Sequence, residues 1–209
     1  MSPEPHAGNV EIFKARTSKL LAWTCWAVAA IGIIVTLAVG GPRNLPGTAP
    51  LLLLAFLGWL LFWRPAVLVM DSGVTLENPY RTIDVPWDAL VQVDTRYALT
   101  LMTPHKKYPA WAAPAPGIWG GRNARPEHLR GLPETTYGPG SSVRPGDLRN
   151  TDSGAAAVLV RARWRDLVES GRVEPGRAED TAVAVRIEWL RLGGTIVLAA
   201  ASYWAIFIQ

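Results

Sequence analysis

The sequence predicts an α+β membrane protein: an N-terminal transmembrane helical hairpin, a small antiparallel β domain with a C-terminal helix, and a third transmembrane helix at the C-terminus. Long apolar runs without charge lie near both ends of the chain. Between them, short β-branched runs alternate with turn residues, a spacing typical of a small antiparallel sheet or barrel. A segment whose apolar residues recur at helical spacing, which predicts an amphipathic helix, follows a stretch rich in Gly and Pro.

Composition limits the possible functions. The 209 residues allow one or two small domains, and the net charge is +4. Arg greatly outnumbers Lys, which suits contact with phosphate or anionic lipid, but a GC-rich genome produces the same bias and no basic run reaches the length of a polybasic patch. The single Cys forms no disulfide framework, and the three His residues lack metal-binding spacing. The sequence therefore predicts no catalytic residues, no metal site and no cofactor.

The N-terminal part of the chain is predicted to cross the membrane twice. Residues 1–19 form a polar tail, and residues 20–40 carry no charge over a length that spans about 30 Å of hydrocarbon. Turn-forming residues at 41–47 lead to a second apolar run at about 47–63, which is short for a span. A buried core helix is the alternative for the second run, but the adjoining span and tight loop favour a transmembrane hairpin over residues 20–64.

Residues 65–171 are predicted to fold as the β domain. Its centre is the hairpin of residues 74–87, in which Pro79 presets a turn and Asn78 can bond its own backbone. Pro109 is tolerated only in an edge strand. The predicted strands are residues 66–70, 74–77, 81–85, 90–93, 97–102 and 108–112.

A Gly- and Pro-rich stretch interrupts this domain at residues 114–154. Gly and Pro make up about a third of it, above the fraction typical of low-complexity segments, so a mobile loop is expected. A spacer is the preferred interpretation, and partner recognition is the alternative. An amphipathic helix follows at residues 155–170, with Asp152 or Ser153 as its N-cap and Gly171 at its end. Its predicted apolar face is Ala157, Val160, Trp164, Leu167 and Val168.

The C-terminal part is predicted to form a linker at residues 172–187 and a third transmembrane helix at residues 188–208. Residues 192–208 carry no charge, and Tyr203 and Trp204 stand close to the far end, as interface aromatics do. Apolar residues alternate with polar or small ones from 183 to 189, so a short strand before the helix is the alternative.

Charges next to the spans predict the orientation. Lys and Arg near span ends concentrate on the cytoplasmic side of a membrane. One side of the predicted spans carries six such residues, and the other carries Arg43. This places the N-terminus and the β domain in the cytoplasm and the C-terminus outside the plasma membrane. The six residues are Lys14, Arg16, Lys19, Arg64, Arg186 and Arg191.

Two motifs of the central hairpin resemble a known family. The strand Gly73-Val74-Thr75-Leu76-Glu77-Asn78 is followed by the basic Arg81 and then by Val85-Pro86-Trp87-Asp88-Ala89-Leu90. This order, after two N-terminal spans, is similar to the small actinobacterial membrane proteins with a bacterial PH-like domain, of the low-molecular-weight-antigen type. The resemblance covers roughly residues 20–116, and the Gly- and Pro-rich loop and the third span lie outside it.

The resemblance implies a PH-like fold: a strongly bent antiparallel sheet closed at one end by the helix at 155–170, with Trp87 in the core. Phosphoinositide-binding PH domains use Lys and Arg in the loop between their first two strands. The corresponding loop here contains Asp71 and no basic residue, so no specific phosphoinositide is expected. The candidates for membrane or partner contact are Arg81, Arg96, Lys106, Lys107, Arg161 and Arg165. For the Arg-rich side of the helix, a solvated face is the alternative.

The function favoured by the sequence is that of a non-catalytic integral membrane protein. Its cytoplasmic PH-like domain would dock an unidentified protein partner or the inner leaflet of the lipid bilayer. The alternative is a subunit of a membrane transport or cell-envelope enzyme complex, but the acidic residues lack catalytic spacing and the spans lack the ionisable residues that transporters use. Nucleic-acid binding has only the Arg content in its favour, because the sequence has no basic stripe with interleaved aromatic residues.

Overall fold

The computed structural model describes residues 10–116, 145–173 and 178–207, and it has the predicted α+β architecture with antiparallel sheets. The chain divides into two compact units, a sheet unit and a helical unit, and each is assembled from separate segments of the chain. The sheet unit is Met1–Lys14, Ala66–Asn78 and Thr82–Val185; the helical unit is Ala15–Pro65, Pro79–Arg81 and Arg186–Gln209.

The larger sheet has five strands: β1 (Glu11–Phe13), β2 (Ala66–Val69), β3 (Gly73–Glu77), β4 (Arg81–Pro86) and β8 (Ala184–Ile187). They lie side by side in the order β1-β2-β3-β4-β8. Its first three strand pairs are antiparallel. Val67, Leu76 and Ile83 lie opposite one another on neighbouring strands, and each is at most 1% exposed, because this face of the sheet covers the core. The predicted central hairpin is confirmed as β3 and β4.

The two outer strands of this sheet were not part of the predicted domain. β1 lies in what the sequence presents as a polar tail, and its three residues are too few to show a period-2 pattern. It pairs with β2, with Ile12 opposite Leu68. β8 lies in the predicted linker, so the alternative of a short strand before the last helix is correct.

A second sheet contains β5 (Gln92–Asp94), β6 (Ala98–Met102) and β7 (Lys107–Pro114) in that order. The single bent sheet that the resemblance implies is therefore two sheets, joined by the 3₁₀ turn Trp87–Ala89. Pro109 stands in the edge strand β7, as predicted. The pairing of β6 with β7 is irregular between Ala98 and Thr100, as at a β-bulge.

Helix α3 (Asp152–Glu169) completes the core of the sheet unit. It begins three residues before the predicted start, and Thr151, rather than Asp152 or Ser153, is its N-cap. Trp164 packs against the core, but Val168, which was predicted on the apolar face, is 37% exposed. Gly171 ends the helix as predicted, with a positive φ of 68°. The buried residues of the helix are Ser153, Gly154, Ala156, Ala157, Val160 and Leu167.

The end of the predicted mobile loop is folded. Residues 145–154 form a 3₁₀ turn at Pro145–Asp147 and the start of α3, so the expectation of a mobile loop is wrong for this part. Gly146, Asp147 and Leu148 are buried. The section of the loop at 117–144 lies outside the described residues.

The helical unit contains α1 (Arg16–Gly40), α2 (Ala49–Gly58) and α4 (Trp189–Phe207). A 3₁₀ segment, Gly41–Thr48, joins α1 to α2, and a π-helical turn, Trp59–Trp63, continues α2.

Helices α1 and α2 run antiparallel to each other. Trp26 Nε1 in α1 donates a hydrogen bond of 3.1 Å to the carbonyl oxygen of Ala55 in α2. A Cβ added at Gly58 would lie 2.7 Å from Cβ of Cys25, whereas Gly32, farther along α1, faces Leu51. The chain therefore folds back on itself as a helical hairpin within this unit.

In the described part of the chain, two helical stretches are long and apolar enough to cross a membrane: Thr17–Trp63, which contains the hairpin, and Trp189–Phe207. Within the most apolar 18-residue segment of each stretch, only 11% and 6% is buried. A core helix of a soluble protein, in contrast, is mostly buried. Both stretches therefore point to membrane association. By length and composition they are two candidates rather than three, so the predicted count of three spans is not established.

Candidate docking surface

The loop between β2 and β3 is tied down by the residues around it. A Cβ at Gly73 would collide with the carbonyl oxygen of Val85, so this position needs Gly. The indole Nε1 of Trp87, which is 3% exposed, donates to the carbonyl oxygen of Met70 at 2.9 Å. Trp87 is thus the core residue that the resemblance implied.

The acidic residue of this loop has a basic partner. The carboxylate of Asp71 is paired with the guanidinium of Arg163 in α3, and both side chains remain partly exposed, at 43% and 29%. A phosphate approaching this loop would meet a carboxylate and would have to compete with it for Arg163. The Asp71–Arg163 pair therefore leaves this loop without a free cation for an anionic ligand, and the absence of phosphoinositide binding stays a prediction.

The predicted basic contact residues do not form one patch. Arg96 is exposed in the turn between β5 and β6, while Lys106 and Lys107 are exposed at the turn between β6 and β7. These two turns are separated by the length of β6, about 16 Å for five residues. Arg165 is exposed on α3, and Arg81 is the exposed first residue of β4.

Arg161, the remaining candidate, has a structural role. Its Nη1 lies 3.0 Å from Oδ1 of Asp147, and its Nη2 donates to the carbonyl oxygen of Val93 at 2.9 Å. The two charged side chains are only 19% and 4% exposed. Arg161 is consequently held in an internal ion pair, and its contact with a membrane or partner stays a prediction. Its partner lies in the stretch that composition presents as a loop.

Asp147 is the centre of a buried polar network at the start of α3. Besides Arg161, its Oδ1 accepts a 2.8 Å hydrogen bond from the Thr95 hydroxyl. Ser153 donates to the carbonyl oxygen of Gly146 at 2.8 Å, and Thr151 donates to that of Leu148 at 2.7 Å. Buried polar groups are stable when they are paired in this way. The network fixes residues 145–154 against the turn that follows β5.

That turn presents two exposed side chains from a rigid base. Oδ1 of Asp94 accepts hydrogen bonds from the backbone N–H groups of Thr95 and Arg96, at 2.9 and 3.3 Å. Thr95 is 1% exposed, but Tyr97 is 83% exposed, and Cζ of Arg96 lies 5.9 Å from the centroid of the Tyr97 ring. We call residues 95–97 the Arg96–Tyr97 tip. Sequence reasoning named Arg96 but missed Tyr97, although an aromatic residue beside Arg in a turn was a usable signal.

A shallow cavity lies between the β6–β7 turn and residues 178–183, with a volume of about 200 Å³. His105 Nε2 is 3.4 Å from the carbonyl oxygen of Glu179 at its edge. The acidic Glu179 and Asp180 that line it are exposed. In the described ranges, no group of three or more His, Cys, Asp or Glu side chains could hold a metal ion. The lining of the cavity is more apolar than polar, and the described residues around it form no recognisable catalytic constellation.

Asn78 joins the two sheets at the end of β3. Its amide donates to the carbonyl oxygen of Pro109 at 3.0 Å, and its Oδ1 accepts from the backbone N–H of Trp111 at 2.8 Å. The expectation that Asn78 bonds its own backbone is therefore wrong: the side chain, 7% exposed, satisfies the backbone of β7 instead. Trp111 itself is 53% exposed.

Within the helical unit, the residues that follow Asn78 are held by α4. The backbone N–H of Glu188 donates to the carbonyl oxygen of Tyr80 at 2.9 Å, and the hydroxyl oxygens of Tyr80 and Thr195 are 3.2 Å apart. Arg191 forms an ion pair with Glu188 at 3.2 Å. This arrangement fixes the β3–β4 turn at the start of α4.

Comparison with known proteins agrees with this fold. Residues 64–147 match the family model of the bacterial PH domain. This segment is therefore similar to a bacterial PH domain, and it makes up less than half of the chain. No curated protein and no solved structure matches the chain. The match begins after the helical hairpin and includes the Asp147 of the buried network, so the PH-like domain extends farther toward the C-terminus than the predicted resemblance at 20–116. The actinobacterial part of the resemblance stays a prediction.

Proposed function

We propose that this protein is a non-catalytic integral membrane protein whose PH-like domain is a docking module on the cytoplasmic face of the plasma membrane. The observation that carries the proposal is the combination of a PH-like sheet with helices whose most apolar windows are 11% and 6% buried. Exposed apolar helices are stable in lipid and unstable in water. Lipid is therefore one partner, and a protein is the expected second partner.

Three spans fit the proposal best. The antiparallel contacts of α1 with α2 support two crossings within the stretch Thr17–Trp63, and α4, with 19 residues, is about 28 Å long. Trp23, Trp26 and Trp63 cluster at one end of the hairpin, with ring centroids 5.2 to 6.1 Å apart. Trp residues favour the level of the headgroups, so this cluster suits one membrane interface.

The connections between sheet and helices favour a domain that stays at the membrane. Two residues separate β1 from α1, two separate the π-helical turn from β2, and Glu188 alone separates β8 from α4. A chain of two residues extends by about 7 Å at most. Three such tethers would keep the PH-like domain next to the bilayer and raise its effective concentration toward any membrane-bound partner.

A topology experiment tests this proposal. The full chain is expressed with a reporter after Gln209 that is active only outside the cytoplasm, and the membranes are washed with alkaline carbonate. We expect the protein to stay in the pellet and the reporter to be active, because three spans place the two termini on opposite sides. Extraction by carbonate would exclude an integral membrane protein, and a reporter inactive at Gln209 in a carbonate-resistant protein would exclude three spans with a cytoplasmic N-terminus.

A further inference from the structure

We propose that the Arg96–Tyr97 tip contacts the anionic lipid headgroups of the membrane that anchors the chain. The inference rests on the proposed function, since it needs a bilayer beside the PH-like domain. It places the lipid contact away from the β2–β3 loop, where Asp71 opposes an anionic ligand.

The chemistry of the tip suits the interface between lipid and water. Tyr97 is the most exposed of the exposed aromatic side chains in the described ranges, at 83%, and Arg96 lies over its ring. Tyr has an apolar ring and a polar end, so it favours the headgroup level of a bilayer. A guanidinium binds phosphate, and each basic residue near an anionic surface contributes attraction. The pair therefore offers both parts of an interfacial contact.

The tip is also rigid enough to act as a binding element. Thr95 is buried and hydrogen-bonded to Asp147, which is held in turn by Arg161. The backbone N–H of Ala115 donates to the carbonyl oxygen of Tyr97 at 2.9 Å. Exposed side chains on a fixed base lose little conformational entropy on binding, as is usual for functional loops on a rigid scaffold.

The charges around the tip favour an anionic surface. Asp147 and Arg161 are buried together and offset each other. Asp94 is half-buried, and its carboxylate accepts the hydrogen bonds of the turn. Arg149, two residues after Asp147, is exposed like Arg96. Among the residues named here, all of them described by the structure, the exposed charges are those of Arg96 and Arg149, and both are basic.

The other basic turn of the same sheet is a matched comparison. Lys106 and Lys107 are exposed, but Tyr108 beside them is only half-exposed, and the acidic Glu179 and Asp180 line the adjoining cavity. Those carboxylates would repel anionic headgroups. Lys106 therefore serves as a control cation at which we expect no lipid contact.

Hydroxyl-radical footprinting of the full-length protein tests the proposal. The protein is placed in nanodiscs of phosphatidylcholine alone, or of phosphatidylcholine mixed with phosphatidylglycerol, and the oxidation rate of Tyr97 is measured by mass spectrometry. We expect oxidation of Tyr97 to be about fivefold slower in the anionic discs, the factor expected for one basic residue at an anionic surface. Arg96→Glu should abolish this protection, Arg96→Lys should keep most of it, and Lys106→Glu should leave it unchanged.

Two outcomes would overturn the proposal. Tyr97 could oxidise at the same rate in both kinds of disc, or its oxidation could slow only after a cell extract is added, which would indicate a protein at the tip. In both cases, a protein that stays in the discs leaves the proposed membrane anchoring intact. Loss of the protein from both kinds of disc would instead contradict the proposed function itself.

Discussion

Replacing Asp147 should destabilise the sheet unit more than replacing any other acidic residue on α3 or in the residues just before it. Asp147→Ala would leave the Arg161 guanidinium, 19% exposed, with the Val93 carbonyl and without its ion-pair partner. It would also remove the acceptor of the buried Thr95 hydroxyl. Breaking a buried pair by removing one partner costs about 3–5 kcal/mol. Because Arg161 retains some exposure, we expect about 3 kcal/mol, the low end of that range.

Hydrogen exchange of the backbone amides of α3 in the full-length, detergent-solubilised protein measures this change within the sheet unit. A loss of about 3 kcal/mol makes exchange through unfolding roughly 100-fold faster, because every 1.4 kcal/mol corresponds to about a factor of ten. Asp166→Ala, which changes an exposed carboxylate on the same helix, is the control and should alter exchange less than about threefold.

A double-mutant cycle isolates the ion pair. Arg161→Met alone should also be destabilising, because it leaves Asp147 buried with the Thr95 hydroxyl and no cation. The variant Asp147→Ala/Arg161→Met should lose less than the sum of the two single effects, by roughly 2 kcal/mol. Additive effects, or an Asp147→Ala protein that exchanges as slowly as the unaltered one, would refute the role assigned to this pair.

Three further substitutions test the remaining contacts. Asn78→Ala should cost about 2 kcal/mol, since it removes two part-buried hydrogen bonds to the backbone of β7, and faster exchange in β7 would show it. Gly146→Ala should lower the unfolding temperature by several degrees, because the added Cβ collides with the carbonyl oxygen of Thr95; an unchanged temperature would contradict the close approach. Arg163→Ala should change stability by less than about 1 kcal/mol, because its ion pair with Asp71 is partly exposed to solvent, and a larger loss in thermal unfolding would show an underestimated contact.

The parts of the fold that were predictable from sequence are those with local patterns. The hairpin of β3 and β4 combines β-branched runs with a Pro-containing turn, and the apolar helices show their character over many successive residues. The short strand β1 has three residues, too few for any pattern, and its pairing partner lies beyond the whole helical hairpin. Its place in the sheet is therefore a tertiary property.

The contacts of individual residues that sequence reasoning missed have the same origin. Arg161 was named as a contact residue without its ion pair, because its partner Asp147 is 14 residues away in a stretch whose Gly and Pro content is typical of disorder. Asn78 bonds backbone groups 31 and 33 residues away rather than its own turn. Composition describes the average character of a segment. The contacts of these two side chains depend instead on particular residues that are distant in sequence.

The central claim is that apolar helices hold the PH-like domain on the cytoplasmic face of the membrane, and cysteine labelling tests it most directly. Cys25, the single cysteine of the sequence, is first replaced by Ser. Lys106→Cys is then introduced on the exposed β6–β7 turn of this variant. The labelled fraction of the carbonate-resistant protein is then measured with a membrane-impermeant maleimide. We predict labelling only after the cells are permeabilised. Equal labelling in intact cells would place the domain outside, and labelled protein in the soluble fraction would contradict membrane anchoring.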